Sequence, residues 1–140
     1  MQGAPRILIV DDSEEDVLLA AAQIRRWARD ALIRRVDNSA DFSAAIQSAS
    51  WDLVLCDHHM PNFDSGAALE LLNSTGRSMP FFVYSGYFSP TQRENAVREG
   101  ASGYVDKRDI AGLMRTIDRT LNPAPAEAGA QAAGGATRPG

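Results

Sequence analysis

Short apolar runs alternate along the chain with longer segments in which apolar residues recur every three to four positions. The runs are typical of short strands buried in a sheet, and the three-to-four spacing is typical of amphipathic helices. The runs predict strands at 7–10, 32–36, 52–56, 81–84 and 102–105, of which the second is the most polar. The intervening segments predict helices over 14–28 and 41–49, a third after Asp64 or Ser65, a fourth over 90–99 and a fifth that ends before Pro123.

Capping residues support the predicted helix ends. Ser13 and Asp109 precede the first and last helices, where a short polar side chain accepts a backbone N–H. Ser89 followed by Pro90 predicts the start of the fourth helix, since proline suits the first helical position. Gly100 predicts its end. The helix boundaries are therefore marked by local chemistry as well as by periodicity.

Five consecutive strand–helix units predict a parallel sheet with helices on both faces, because such crossovers are right-handed. We expect an α/β fold of the flavodoxin-like, doubly wound type, with five strands in the order 2-1-3-4-5 and five helices. One domain is expected over residues 1–122. Residues 123–140 are rich in Ala, Gly and Pro and carry no aromatic or large aliphatic side chain, so we expect a flexible tail there.

Polar residues follow the apolar runs at one predicted edge of this sheet. Asp11 and Asp12 come directly after the first strand, Asp57 after the third, Ser85 after the fourth and Lys107 after the fifth. The carboxyl ends of parallel strands meet at one edge, with the ligand site at the switch point between strands one and three. Any one of these five residues could be an unrelated polar residue of the surface. That interpretation explains poorly why all five follow strands at the same predicted edge.

The chemistry expected at this edge follows from its charges. Three neighbouring carboxylates repel one another unless a cation neutralises them, and carboxylate oxygens favour a hard divalent ion such as Mg²⁺. Asp57 is then expected to remain ionised and to act as a nucleophile towards a phosphoryl group. Lys107 is expected to neutralise the phosphoryl oxygens, and Ser85 to donate a hydrogen bond to one of them.

Composition narrows the class of protein. The chain has 140 residues, 44% of them hydrophobic, and a formal net charge of -4, so the sequence predicts one globular domain and offers no global attraction for nucleic acid. The single cysteine, Cys56, excludes an internal disulfide, and no apolar run approaches the length of a membrane span. We expect a cytoplasmic protein that contacts neither nucleic acid nor membrane directly.

The residues at the predicted edge resemble the receiver domain of two-component response regulators. The resemblance rests on the pair Asp11-Asp12, on Asp57 with the following Met60-Pro61 and Gly66, on Ser85-Gly86, and on Gly100-Ala101 leading to Tyr104 and Lys107. It covers residues 6–121. It implies that Asp57 is phosphorylated by a sensor histidine kinase or a histidine phosphotransfer protein, that Mg²⁺ is required, and that an unknown downstream protein responds.

The resemblance also implies roles for single residues. Asp12 would be a direct metal ligand, Asp11 would bind partly through water, and Asp57 with the backbone carbonyl of His59 would complete the protein ligands. Ser85 and Tyr104 match the switch pair of the family, in which the hydroxyl is drawn to the phosphoryl group and the aromatic ring turns inward behind it.

One departure concerns the position after the lysine, where most receivers have proline and this chain has Arg108. Because that position shapes the last β–α loop, the substitution bears on partner docking. The charge of the lysine is unaffected.

Two other functions agree less well with the sequence. A Mg²⁺-dependent phosphohydrolase with an aspartate nucleophile would need a second acid two positions after Asp57, and His59 stands there. A pseudo-receiver serving only as scaffold would lack an acid or the lysine, and both are present. We therefore expect a signalling phospho-acceptor that is not an enzyme, either a monomer or a weak homodimer.

Overall fold

The computed structural model describes residues 4–122, and the predicted tail at 123–140 lies outside them. Strands and helices alternate along this part of the chain. They are β1 (Arg6–Val10), α1 (Glu14–Trp27), β2 (Leu32–Val36), α2 (Ser39–Ser48), β3 (Leu53–Cys56), α3 (Ser65–Ser74), β4 (Phe81–Ser85), α4 (Pro90–Arg98), β5 (Gly103–Asp106) and α5 (Ile110–Leu121).

The five strands form one parallel sheet in the order β2-β1-β3-β4-β5, which confirms the predicted fold. Two hydrophobic layers cover its faces. Phe42, Ile46 and Leu69 belong to the layer on one face, and Ile24 and Ile117 belong to the layer on the other. Strands β1 and β3 are buried from end to end except for Arg6, as expected for the centre of a doubly wound sheet. No helix within residues 4–122 is long and apolar enough to cross a membrane.

Several predicted boundaries were wrong by one or two residues, and hydrogen bonds explain two of the shifts. Helix α2 begins at Ser39 rather than at 41, because the side chain of Asn38 accepts the N–H of Asp41 and caps the helix. Strand β3 begins at Leu53 rather than at 52, because the side chain of Asp52 accepts the N–H of Arg6 at 2.8 Å. Helices α1, α2 and α4 each end one residue before the predicted end, at 27, 48 and 98. Strand β4 extends one residue further than predicted, to 85, and β5 covers 103–106 rather than 102–105.

Candidate functional site: an acidic cluster with a lysine at the sheet edge

Backbone hydrogen bonds align the strand ends that carry the predicted site. Val10 pairs with Cys56 in the sheet, and the next residue, Asp57, donates its N–H to the carbonyl of Val10 at 2.8 Å. On the other side of β3, the N–H of Lys107 donates to the carbonyl of Ser85 at 3.0 Å. The ladder therefore brings the carboxylates after β1 and β3 to the edge at which β4 and β5 also end.

Asp11, Asp12 and Asp57 form a compact acidic cluster. One carboxylate oxygen from each lies within 4.8 Å of the others. Asp11 is completely buried, Asp57 is 6% exposed and Asp12 is exposed. Backbone N–H groups of the following loops fix the two buried side chains: Ser13 donates to Asp11 Oδ1 at 2.9 Å, and His59 donates to Asp57 Oδ1 at 3.0 Å.

Lys107 is the cation of the cluster. Its Nζ lies 2.7 Å from Asp11 Oδ2, 2.7 Å from Asp16 Oδ2 and 3.1 Å from Asp57 Oδ2. Burial by itself would lower the pKa of Lys107, but the contacts with Asp11 and Asp16 and the charge of Asp57 together raise it well above its ordinary value. The lysine is therefore a permanent positive charge beside Asp57. Sequence reasoning placed Asp16 only in the first turn of α1 and missed its contact with the lysine.

The environment of Asp11 fits a small divalent cation. Its Oδ2 is buried and, although Lys107 Nζ is close, no donor is aligned for a hydrogen bond to that oxygen. Burial raises the pKa of the Asp11 carboxyl, and the contacts with Lys107 and the N–H of Ser13 offset only part of that effect. This buried oxygen has no aligned hydrogen-bond donor and lies beside two further carboxylates, so the three side chains could together hold a metal ion.

Ser85 and Tyr104, the predicted switch pair, are in contact. Ser85 is completely buried, and its hydroxyl donates to the carbonyl of Tyr87 at 3.1 Å. The Tyr104 hydroxyl donates to the carbonyl of Ser85 at 3.1 Å. The half-buried ring of Tyr104 stacks on Phe88 with centroids 5.3 Å apart, and the guanidinium of Arg93 lies 4.5 Å from its centroid. The hydroxyl of Ser85 is thus bonded to its own loop rather than to Asp57.

Hydrogen bonds connect the two histidines after Asp57 to neighbouring segments, and their partners indicate which ring nitrogen carries the proton. His59 Nε2 lies 2.8 Å from the carbonyl of Tyr87, so that nitrogen carries the proton, because a carbonyl can only accept. Gln92 Oε1 accepts the N–H of Ser89, which directs the Gln92 amide nitrogen to His58 Nε2 at 3.2 Å. His58 Nε2 therefore accepts, and its protonated Nδ1 donates to a serine hydroxyl on α3 at 2.8 Å. The position of the His59 carbonyl as a metal ligand stays a prediction.

Arg108 forms an ion pair with Asp106 within the loop between β5 and α5. Its Nη2 and Nε lie 2.7 and 3.0 Å from the two carboxylate oxygens of Asp106, and its backbone N–H donates to the same side chain at 2.8 Å. These bonds lower the pKa of Asp106 to about 2. An ion pair therefore shapes the loop at the position where the family most often has proline.

Comparison with known proteins agrees with this geometry. Residues 7–118 match the family model described as the response regulator receiver domain. The transcriptional regulatory protein ZraR of Salmonella typhimurium is 26% identical over 122 residues, which are 86% of this chain and 27% of that protein. This chain thus spans about a quarter of the length of that relative.

Solved receiver structures share the fold. The signal receiver domain of a LuxO-type repressor protein from Vibrio parahaemolyticus superposes with a TM-score of 0.78 at 20% identity, covering 89% of this chain and 95% of that one. The receiver domain of a sensor histidine kinase from Pseudomonas aeruginosa, solved with a magnesium ion in its active-site cleft, gives 0.72 at 21% identity, covering 85% and 98%. The chain belongs to the response regulator receiver domain family, and its sheet order and acidic edge agree with that assignment.

Proposed function

We propose that Asp57 accepts a phosphoryl group from a phosphohistidine of a sensor histidine kinase or a histidine phosphotransfer protein. The observation that carries the proposal is the position of the Asp57 carboxylate, which lies 3.1 Å from the ammonium of Lys107 and within the acidic cluster. A nucleophile for phosphoryl transfer needs neutralising charge close to the oxygens it attacks. Lys107 supplies that charge from a fixed position.

In the transfer, a carboxylate oxygen of Asp57 donates an electron pair to phosphorus. The bond from phosphorus to the donor nitrogen breaks, and its electron pair remains on the imidazole of the donor. Lys107 donates hydrogen bonds to the transferred oxygens, and the hydroxyl of Ser85 becomes a further donor once it leaves the carbonyl of Tyr87. The product is an acyl phosphate on Asp57.

We propose Mg²⁺ as the cofactor, held by Asp11, Asp12, Asp57 and the backbone carbonyl of His59. When bound, the ion supplies positive charge to the phosphoryl oxygens. Support comes from the spacing of the three carboxylates and from the buried oxygen of Asp11 that has no aligned donor.

The protein is proposed to act as a switch and not as a turnover enzyme. Support comes from residue 59, two positions after the acceptor, which is a histidine where a phosphohydrolase with an aspartate nucleophile would need a second acid, and whose Nε2 lies 2.8 Å from the carbonyl of Tyr87. We further propose a cytoplasmic location, a receiver unit over residues 1–122, a downstream protein partner, and a monomeric or weakly dimeric state.

Labelling with acetyl phosphate tests the acceptor. The Asp57→Asn protein should take up no phosphoryl group, whereas Asp64→Asn should be labelled as the parent is. Asp64 is a suitable control because it lies in the loop after Asp57 and caps α3. Full labelling of Asp57→Asn would place the acceptor elsewhere.

The switch is proposed to run from Ser85 to Tyr104. An acyl phosphate brings roughly -1.5 to -2 charge and strong acceptor oxygens to the site. Drawing the Ser85 hydroxyl towards Asp57 breaks its bond to Tyr87, which frees the loop against which Tyr104 packs. In Ser85→Ala, amide NMR with beryllofluoride should show site occupancy but reduced shifts across residues 90–121. Shifts equal to those of the parent would refute this coupling.

A further inference from the structure

Asp16 is a fourth carboxylate at the acceptor edge, and it lies outside the cluster of Asp11, Asp12 and Asp57. Its Oδ2 accepts a hydrogen bond from Lys107 Nζ at 2.7 Å, a shorter distance than the 3.1 Å from Nζ to Asp57. An ammonium group has three donors. One of the three donors of Lys107 is therefore directed away from the acidic cluster, to Asp16.

The start of α1 explains why Asp16 is available to the lysine. Asp16 is the third residue after the cap, Ser13, and an acid at that position ordinarily turns back to the N–H of the cap residue. Here that N–H donates to Asp11 Oδ1 at 2.9 Å. By contrast, α4 closes its capping box with Ser89 and Gln92. The Asp16 carboxylate is thus released from the end of its own helix and reaches Lys107.

We propose that Asp16 is a positioning residue for Lys107 during phosphorylation. The inference rests on the function proposed above. Of the three carboxylates around the ammonium, Asp57 is transformed by the reaction and Asp11 belongs to the metal-binding cluster. Asp16 belongs to neither. It therefore holds one N–H of the ammonium throughout, so that the remaining donors face the phosphoryl oxygens on Asp57.

A kinetic double-mutant cycle tests the proposal. The rate of labelling by acetyl phosphate would be measured for Asp16→Asn in the parent and in a Lys107→Met background. Glu15→Gln is the matched control, since it removes one charge from the same helical turn at an exposed position. Asp16→Asn should slow labelling by about tenfold, as expected for coupling between contacting charged residues, with Glu15→Gln within about twofold of the parent. In the Lys107→Met background, Asp16→Asn should cause no further loss.

An unchanged rate for Asp16→Asn, or the same fold loss in both backgrounds, would overturn the proposal, because the effect would then not pass through the lysine. A second measurement needs no phosphodonor. The ammonium resonance of Lys107, followed by proton–nitrogen NMR, should exchange with water faster in Asp16→Asn than in Glu15→Gln. Equal exchange would also overturn the proposal. If the parent itself is not labelled, the proposed function fails, and the NMR measurement then decides only whether Asp16 holds the ammonium of Lys107.

Discussion

Replacing Asp12 by asparagine should stabilise the protein in the absence of divalent cations and remove its stabilisation by Mg²⁺. Asp12 is the exposed member of an acidic cluster whose oxygens lie within 4.8 Å of one another. The substitution keeps the shape of the side chain and removes its charge. The gain in stability without divalent cations and the loss of stabilisation by Mg²⁺ therefore both result from the removal of one negative charge.

The magnitude follows from the spacing of the carboxylates. Two unit charges 4.8 Å apart repel by about 1 kcal/mol at a dielectric constant of 80 and by about 3.5 kcal/mol at 20. The exposure of Asp12 favours the lower value, and Lys107 offsets part of the repulsion. We expect the free energy of unfolding to rise by about 1 kcal/mol in Asp12→Asn. In the parent, Mg²⁺ at a hundred times its dissociation constant should add about 2.7 kcal/mol.

Urea unfolding with and without Mg²⁺ measures both quantities. Trp51 reports on unfolding, since it is 4% exposed and its indole N–H donates to a backbone carbonyl of α2. Without Mg²⁺ the variant should be the more stable protein, and with saturating Mg²⁺ the parent should be. Asp30→Asn serves as control, because Asp30 is exposed in the turn before β2. Its Mg²⁺ response should equal that of the parent. A variant that loses stability without Mg²⁺, or keeps the parent's response to it, would refute the reasoning.

Three further predictions follow from local contacts. Cys56 is completely buried and burial raises the pKa of its thiol, so thiol reagents should modify it only as fast as the protein unfolds. Arg108→Ala should return the pKa of Asp106 from about 2 towards 3.8, as measured by carboxyl NMR. Because the pKa of Asp106 is depressed in the folded protein, the pair stabilises the fold above pH 3.8, and this contribution is lost as the pH falls through about 2. His58→Phe keeps the edge contact with Phe88 but removes two hydrogen bonds, so the free energy of unfolding should fall by about 1–2 kcal/mol.

Each of these has a clear contrary result. Modification of Cys56 at a rate independent of denaturant would mean that the thiol is accessible in the folded protein. An Asp106 pKa that stays near 2 in Arg108→Ala would assign the shift to another group. Equal unfolding curves for His58→Phe and the parent would show that its hydrogen bonds contribute nothing net.

The sheet and its acidic edge could be predicted from the sequence, because they depend on the spacing of apolar residues and on the residues that follow each strand. Four buried residues followed by Asp11 and Asp12, and four more followed by Asp57, were enough to place the acidic edge at the switch point. The contact of Lys107 with Asp57 follows from the same rule, because parallel strands end together.

What sequence reasoning missed depends on choices between hydrogen-bond partners. Asp16 has the spacing of a capping-box residue, and only the competing bond from the N–H of Ser13 to Asp11 turns it towards the lysine. The link from His58 to Gln92 depends on the orientation of one amide across two loops. The sequence shows Arg108 as a departure from the family pattern, but its pairing with Asp106 within the loop is visible only in three dimensions.

The central claim is that Asp57 carries the phosphoryl group. Treating the acetyl phosphate-labelled protein with borohydride reduces an aspartyl phosphate to homoserine, and peptide mass spectrometry then locates that residue in the sequence. We predict homoserine at position 57 alone, in an amount that depends on Mg²⁺. Homoserine at position 11, 12 or 16, or labelled protein without homoserine at 57, would contradict this prediction.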